Sequence, residues 1–224
     1  MIPCPVVPFT PHARPLDWHQ IFRTFGGLLA ILNPIGAIPI FLGLTLGQGP
    51  HQRRRSARYA ALAVAAVLVA AVWAGEALLG FFGVRIASFR VGGGILILLM
   101  AIAMLQARTS PSKQTQEEAE EAGSRDSVGV VPIGIPLLAG PGAISLVIVD
   151  AQQAPVGGRL VLSATILAVS AIAWGALLAA GPIGRVLGRT GINIFTRLMG
   201  LLLAAVAVEY IASGLLELFP ALGG

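Results

Sequence analysis

The sequence predicts an all-α polytopic membrane protein: six transmembrane helices forming two inverted three-helix repeats, with the first and fourth helices broken. Three observations predict it. Hydrophobic residues make up 56% of the 224 residues and charged residues 11%, with a mean hydropathy of +0.84, whereas a soluble domain carries about 25% charged residues. Six apolar runs reach the roughly 17 to 25 residues needed to cross a hydrocarbon core. Two of those runs are interrupted by Pro and Gly at equivalent places. A soluble globular enzyme is therefore excluded. The formal charge of +5 does not point to nucleic acid, because the basic groups sit between apolar runs, where the positive-inside rule accounts for them. Cys4 is the only cysteine, so disulfide frameworks and CxxC chemistry are excluded.

The elements follow in order. Residues 1–20 are a Pro-rich extension (Pro3, Pro5, Pro8, Pro11, Pro15) that lacks the basic segment and apolar core of a cleavable signal. The first three-helix repeat occupies 21–106, with spans at 24–46, 59–79 and 86–106. HQRRRSAR (51–58) and FFGVR (81–85) read as its loops. A polar acidic loop, 107–126, contains Glu117, Glu118, Glu120 and Glu121 and reads as a solvated linker or short exposed helix. The second three-helix repeat occupies 127–218, with spans at 127–149, 160–183 and 192–216, and AQQAPVGGR (151–159) and GRVLGRTG (184–191) as its loops.

Orientation follows from the basic residues. One side holds Arg53, Arg54, Arg55, Arg58, Arg108, Lys113, Arg125, Arg185, Arg189 and Arg197; the other holds Arg14, Arg23, Arg85, Arg90 and Arg159. This asymmetry puts both termini outside. A shift of 107 residues lays Gly27 on Gly134, Pro34 on Pro141, Arg90 on Arg197 and Gly93 on Gly200. Three spans per half give the second copy the opposite orientation, the inverted repeat of many secondary transporters.

The first break lies in LNPIGAIPIFL (32–42), where Pro34 and Pro39 lack N–H donors and Gly36 lacks a stiffening side chain. The fourth span repeats the theme in VPIGIPLLAGPGAISL (131–146). Irregular backbone at membrane depth is tolerated only inside protein or beside a wet cavity, so matched breaks point to a binding site at the repeat interface. A half-helix restarting after a break presents free N–H groups and partial positive charge, which suits a carboxylate. The candidate binding residues are Asn33, Pro34, Ile35, Gly36, Gly140, Pro141, Gly142, Ala143 and Ser145. Asn33 and Ser145 add neutral hydrogen-bonding groups, while Gly36, Gly140 and Gly142 let a small ligand approach the backbone. The competing reading is that these Pro and Gly residues only kink helices for packing.

At these residues the sequence resembles the MarC family, also described as SnatA-type neutral amino-acid transporters within a superfamily of small amino-acid exporters. The resemblance covers about 20–218 and rests on NPIGAIPIFL, FRVGGGILIL (89–98), VVPIGIPLLAGPGAIS (130–145) and GINIFTRLMGLLLAAVAV (191–208). It implies a six-helix protein of the bacterial plasma (inner) membrane with its substrate between the two broken helices. The Pro-rich extension through Asp17 lies outside the family pattern, and Glu209 stands where many relatives carry Gln.

Charged groups inside spans are costly and functional by default. Glu76, Arg90, Asp150, Arg197 and Glu209 are the coupling or gating candidates. Arg90 and Arg197 lie near span starts, where they can snorkel to the interface; Glu76 and Asp150 read as interfacial. Glu209 is deeper, and burial would favour its protonated form, making it a candidate proton site. His12, His19 and His51 lie outside the spans, and no GxSxG or HExxH occurs, so neither a metal site nor enzyme chemistry is expected. The expectation is a secondary transporter of small neutral amino acids of the glycine or alanine type, without cofactor, coupled to H⁺ or Na⁺, with lipid and substrate as partners. A small-solute channel and a drug-resistance or scaffold protein are the alternatives. The oligomeric state and the direction of transport stay open.

Overall fold

The computed structural model describes residues 18–45, 48–106, 140–152 and 154–223. The described residues are all-helical. They comprise α1 (Trp18–Leu32), α2 (Ile38–Leu44), α3 (Pro50–Phe81), α4 (Ile86–Leu105), α5 (Pro141–Gln152), α6 (Val156–Leu178) and α7 (Ala180–Leu218), closed by a 3₁₀ turn at Pro220–Gly223. By length and composition α3, α4, α6 and α7 can each cross a membrane, while α1 and α5 are shorter apolar helices. The extension through Asp17, the acidic loop and the first part of the fourth span, 127–139, lie outside the described residues.

The first break is where the sequence puts it. α1 stops at Leu32 and α2 starts at Ile38, because Pro34 cannot supply the N–H that a continuous helix would need. Two loops differ from expectation. The arginine run 51–58 is helical: Pro50 at the first helical position and Gln52, whose Oε1 accepts from the Gly49 N–H at 3.4 Å, start α3 before the polar segment. Segment 184–191 is also helical apart from Gly188, whose φ of 58° and ψ of −175° kink α7. That backbone region is open essentially to Gly alone. α3 ends in a Schellman motif, with Gly83 at φ 64° and the Val84 N–H donating to Leu79 O at 3.0 Å.

α5 is the central helix. It touches α1, α3, α4 and α6, and every residue from Ser145 to Ala151 is buried, the all-round burial expected of a core helix. The most extensive contact joins α4 to α7. These helices run antiparallel and close enough that only Gly fits. A Cβ on Gly94 would lie 3.1 Å from both Ala207 O and Ile211 N; one on Gly200 would lie 3.0 Å from Ala101 O and 3.1 Å from Leu105 N. Small residues are the usual means of bringing membrane helices together. Gly93, one residue away on α4, turns to α5 instead, where its Cβ would meet Ser145 Cβ at 2.7 Å.

Candidate functional site

α1 and α5 pack antiparallel along one seam. Thr24 Oγ1 donates to Asp150 Oδ2 at 2.6 Å. A Cβ on Gly27 would lie 3.1 Å from Leu146 Cδ1, and one on Gly142 would lie 3.9 Å from Ile31 Cγ2. Thr24, Gly27 and Ile31 share one face of α1, and Asp150, Leu146 and Gly142 share one face of α5, by the helical three-to-four spacing. This register carries the end of α1 to the start of α5, so the first interruption and the start of α5 meet in the interior.

Asn33 organises the first interruption. It is 4% exposed and takes φ 41°, a left-handed conformation that Asn tolerates better than most residues. Its Oδ1 accepts from the Gly36 N–H at 3.1 Å, and its Nδ2 donates to Thr196 Oγ1 of α7 at 3.4 Å. The amides of Ala37 and Ile38 are used by Asn33 O and Ile35 O. Among the described residues the Ile35 amide has no acceptor. At the start of α5, Ala143 and Ile144 N–H donate to Gly140 O at 3.0 and 3.3 Å, while the Gly142 amide has no acceptor among the described residues. Among the described residues, the Ile35 and Gly142 amides are thus the two without an acceptor at these points.

The glycines have another role than the one expected. A Cβ on Gly36 would sit 2.0 Å from Asn33 Nδ2, and one on Gly142 would sit 3.0 Å from Met100 Sδ and 3.2 Å from Ile97 Cγ1. Asn33 and α4 therefore occupy the space that was expected to admit a ligand at Gly36 and Gly142. Gly140 is looser, with Met100 Cε 3.5 Å from its Cβ position. Ser145 is buried against Gly93 of α4. Met100 is flexible and 1% exposed, which gives a coupled prediction. Gly142→Val should lower the detergent unfolding midpoint, and Met100→Ala in the same chain should restore about half of the loss or more, the non-additivity expected of contacting residues. Strictly additive losses would show that the start of α5 does not rest on Met100.

The ionisable candidates divide. Asp150 is buried among helices: it is 9% exposed, and its second oxygen accepts from the Tyr210 hydroxyl of α7 at 2.9 Å. Arg23 lies 5.9 Å from the centre of the Tyr210 ring. Arg90 is buried and pairs with Glu217 at 2.9 Å. Glu76 pairs with Arg159 between α3 and α6. Glu209 corrects an expectation: it lies on the exposed face of α7 and is not a buried carboxylate. Arg197, although matched to Arg90 by the repeat, is also exposed. The Thr24, Asp150 and Tyr210 set was not assembled from sequence, since its members are 126 and 60 positions apart. The available signal was a lone Asp at a span end with a hydroxyl on the matching face of the other broken helix. No cluster of three or more His, Cys, Asp or Glu that could hold a metal occurs among the described residues.

Residues 18–219 match the model of the MarC family integral membrane proteins. YhcE of Escherichia coli (strain K12), a UPF0056 membrane protein, is 40% identical over 207 residues, covering 92% of this chain and 96% of that protein. A UPF0056 membrane protein of Methanocaldococcus jannaschii is 35% identical over 201 residues, covering 89% and 98%. The UPF0056 inner membrane protein MarC of Citrobacter koseri is 34% identical over 214 residues, covering 89% and 97%. No solved structure matches the chain. Matched over nearly its whole length and built of long apolar helices, the chain is an integral membrane protein and belongs to the MarC family.

Proposed function

We propose that the protein is a secondary transporter of small neutral amino acids, working by alternating access with six spans in two inverted repeats. The observation that carries this reading is the meeting, in the buried interior, of the first interruption with the start of α5, where the Ile35 and Gly142 amides have no acceptor among the described residues. Two such amides at helix ends suit one carboxylate. Asn33, Ser145 and carbonyls at the breaks are candidate partners for the ammonium group. Met100, Ile97 and Ile31 crowd the second interruption, so a small side chain is favoured. The α4 and α7 contacts support the repeat: Ala101 and Leu105 stand to Gly200 as Ala207 and Ile211 stand to Gly94. That match is a shift of 106 residues, one less than the shift that aligns the punctuating residues. We read the driving ion as H⁺ or Na⁺ and both termini as outside.

Counterflow in proteoliposomes tests this. Vesicles loaded with glycine or alanine should accumulate the labelled amino acid from outside, while leucine and glutamate should not compete. Flux without counterflow would mean a channel, and no flux of any amino acid would overturn the transport reading. Orientation is checked by a cysteine at Ser112 in a Cys4→Ser background, which should resist impermeant thiol reagents in whole cells and react in inverted vesicles.

A further inference from the structure

The half-helices that meet at the interruptions continue together to one end of the bundle. Thr24 precedes Asn33 by nine residues and Asp150 follows Pro141 by nine, so at 1.5 Å per residue both lie about 14 Å from the interruptions. The facing residues between are closed off: Leu28 and Ile31 of α1 and Ala143 and Leu146 of α5 are at most 2% exposed. At the far end Asp150 ties three elements at once, accepting from Thr24 of α1 and Tyr210 of α7 while sitting on α5. Arg23 flanks the cluster from α1. Arg90 of α4 pairs with Glu217 of α7 at the same end of the bundle. Both carboxylate oxygens are engaged, so the latch is complete as it stands.

We propose that Thr24, Asp150 and Tyr210 form the outer gate of the transport pathway, holding the outer halves of the two broken helices shut above the substrate site. The inference rests on the transport reading and deepens it by assigning the residues that must part for the site to open outward. Asp150 stands about 14 Å from the interruptions, so the gate carboxylate acts on access. Arg90 and Glu217 brace the α4 and α7 seam beside it.

The test is accessibility. A cysteine at Leu28, one turn inward of Thr24, is placed in a Cys4→Ser background and reacted with an impermeant maleimide from outside. With the latch intact it should label slowly. Thr24→Val, Tyr210→Phe and Asp150→Asn should each raise the outside labelling rate about tenfold, the shift expected when a gate loses one buried hydrogen bond. Unchanged rates in the Thr24 and Tyr210 variants overturn the gate; so does an increase seen only from the inner face in inverted vesicles. Tyr210→Phe keeps the ring and its contact with Arg23, so it serves if Asp150→Asn fails to insert. The labelling needs no substrate. Accelerated labelling with no amino-acid counterflow supports the gate while the amino-acid reading fails, and counterflow with unresponsive labelling removes the gate alone.

Discussion

Gly200→Leu should unfold far more readily than the parent protein, losing about 3 kcal/mol. The reason is the partner it would strike. A Cβ there would stand 3.0 Å from Ala101 O and 3.1 Å from Leu105 N, which are backbone atoms of α4 that cannot rotate away. The helices must separate along their most extensive contact, and with them the seam that braces α5. For a chain of this length such a loss corresponds to a fall in unfolding midpoint on the order of 6–12 °C, measured in detergent by thermal shift. Gly92→Leu is the matched control. Nothing lies within 4 Å of its Cβ position, so it should leave the midpoint unchanged or raise it slightly through helix propensity. Equal effects at Gly92 and Gly200 would show that the seam is not close-packed.

Gly36→Ala should be the most damaging change at the candidate site. Its Cβ would occupy the position of the Asn33 amide, 2.0 Å from Nδ2 and 2.7 Å from Cγ. That side chain would be expelled, breaking both its bond from the Gly36 N–H and its bond to Thr196. Leaving buried polar groups unpaired costs about 2 kcal/mol. Substrate affinity should fall by about tenfold or more, because 1.4 kcal/mol of site distortion is already a factor of ten. The backbone contribution is separable. Asn33→Gly keeps the left-handed conformation and loses the side-chain bonds, while Asn33→Ala loses both, so Ala should be less stable than Gly by about 1 kcal/mol. Isothermal binding or counterflow half-saturation reads the first effect and thermal unfolding the second. Gly36→Ala with unaltered affinity would remove the first interruption from the site.

Much of the architecture was legible in order of residues because the bilayer imposes it. Apolar length dictates spanning helices, and a Pro inside such a run forces an interruption whatever surrounds it. The break at Pro34, the start of α5 at Pro141 and the long apolar helices α3, α4, α6 and α7 are therefore sequence properties. Helix ends were less legible. The arginine run 51–58 continues α3 as helix because polar residues disfavour lipid without disfavouring helix. Segment 184–191 stays helical on both sides of Gly188, since one left-handed Gly kinks the chain without requiring a loop.

The candidate residues could be named from the sequence, but their packing could not. A Gly in a membrane helix admits either a ligand or another part of the protein, and both uses leave the same letter in the sequence. Only packing decides that Gly36 is filled by Asn33, that Gly142 faces Met100, and that Gly94 and Gly200 bring α4 and α7 together. Charges follow the same rule. Depth along a helix is written in the sequence, but the direction a side chain faces depends on its neighbours. Glu209 turns outward on α7, while the residue beside it, Tyr210, turns inward to Asp150. The sequence by itself determined that this chain spans a membrane and that its first apolar run breaks at Pro34, because hydrocarbon and proline act locally. The tertiary structure decided which polar groups meet, because Thr24, Asp150 and Tyr210 become neighbours only once three helices have packed.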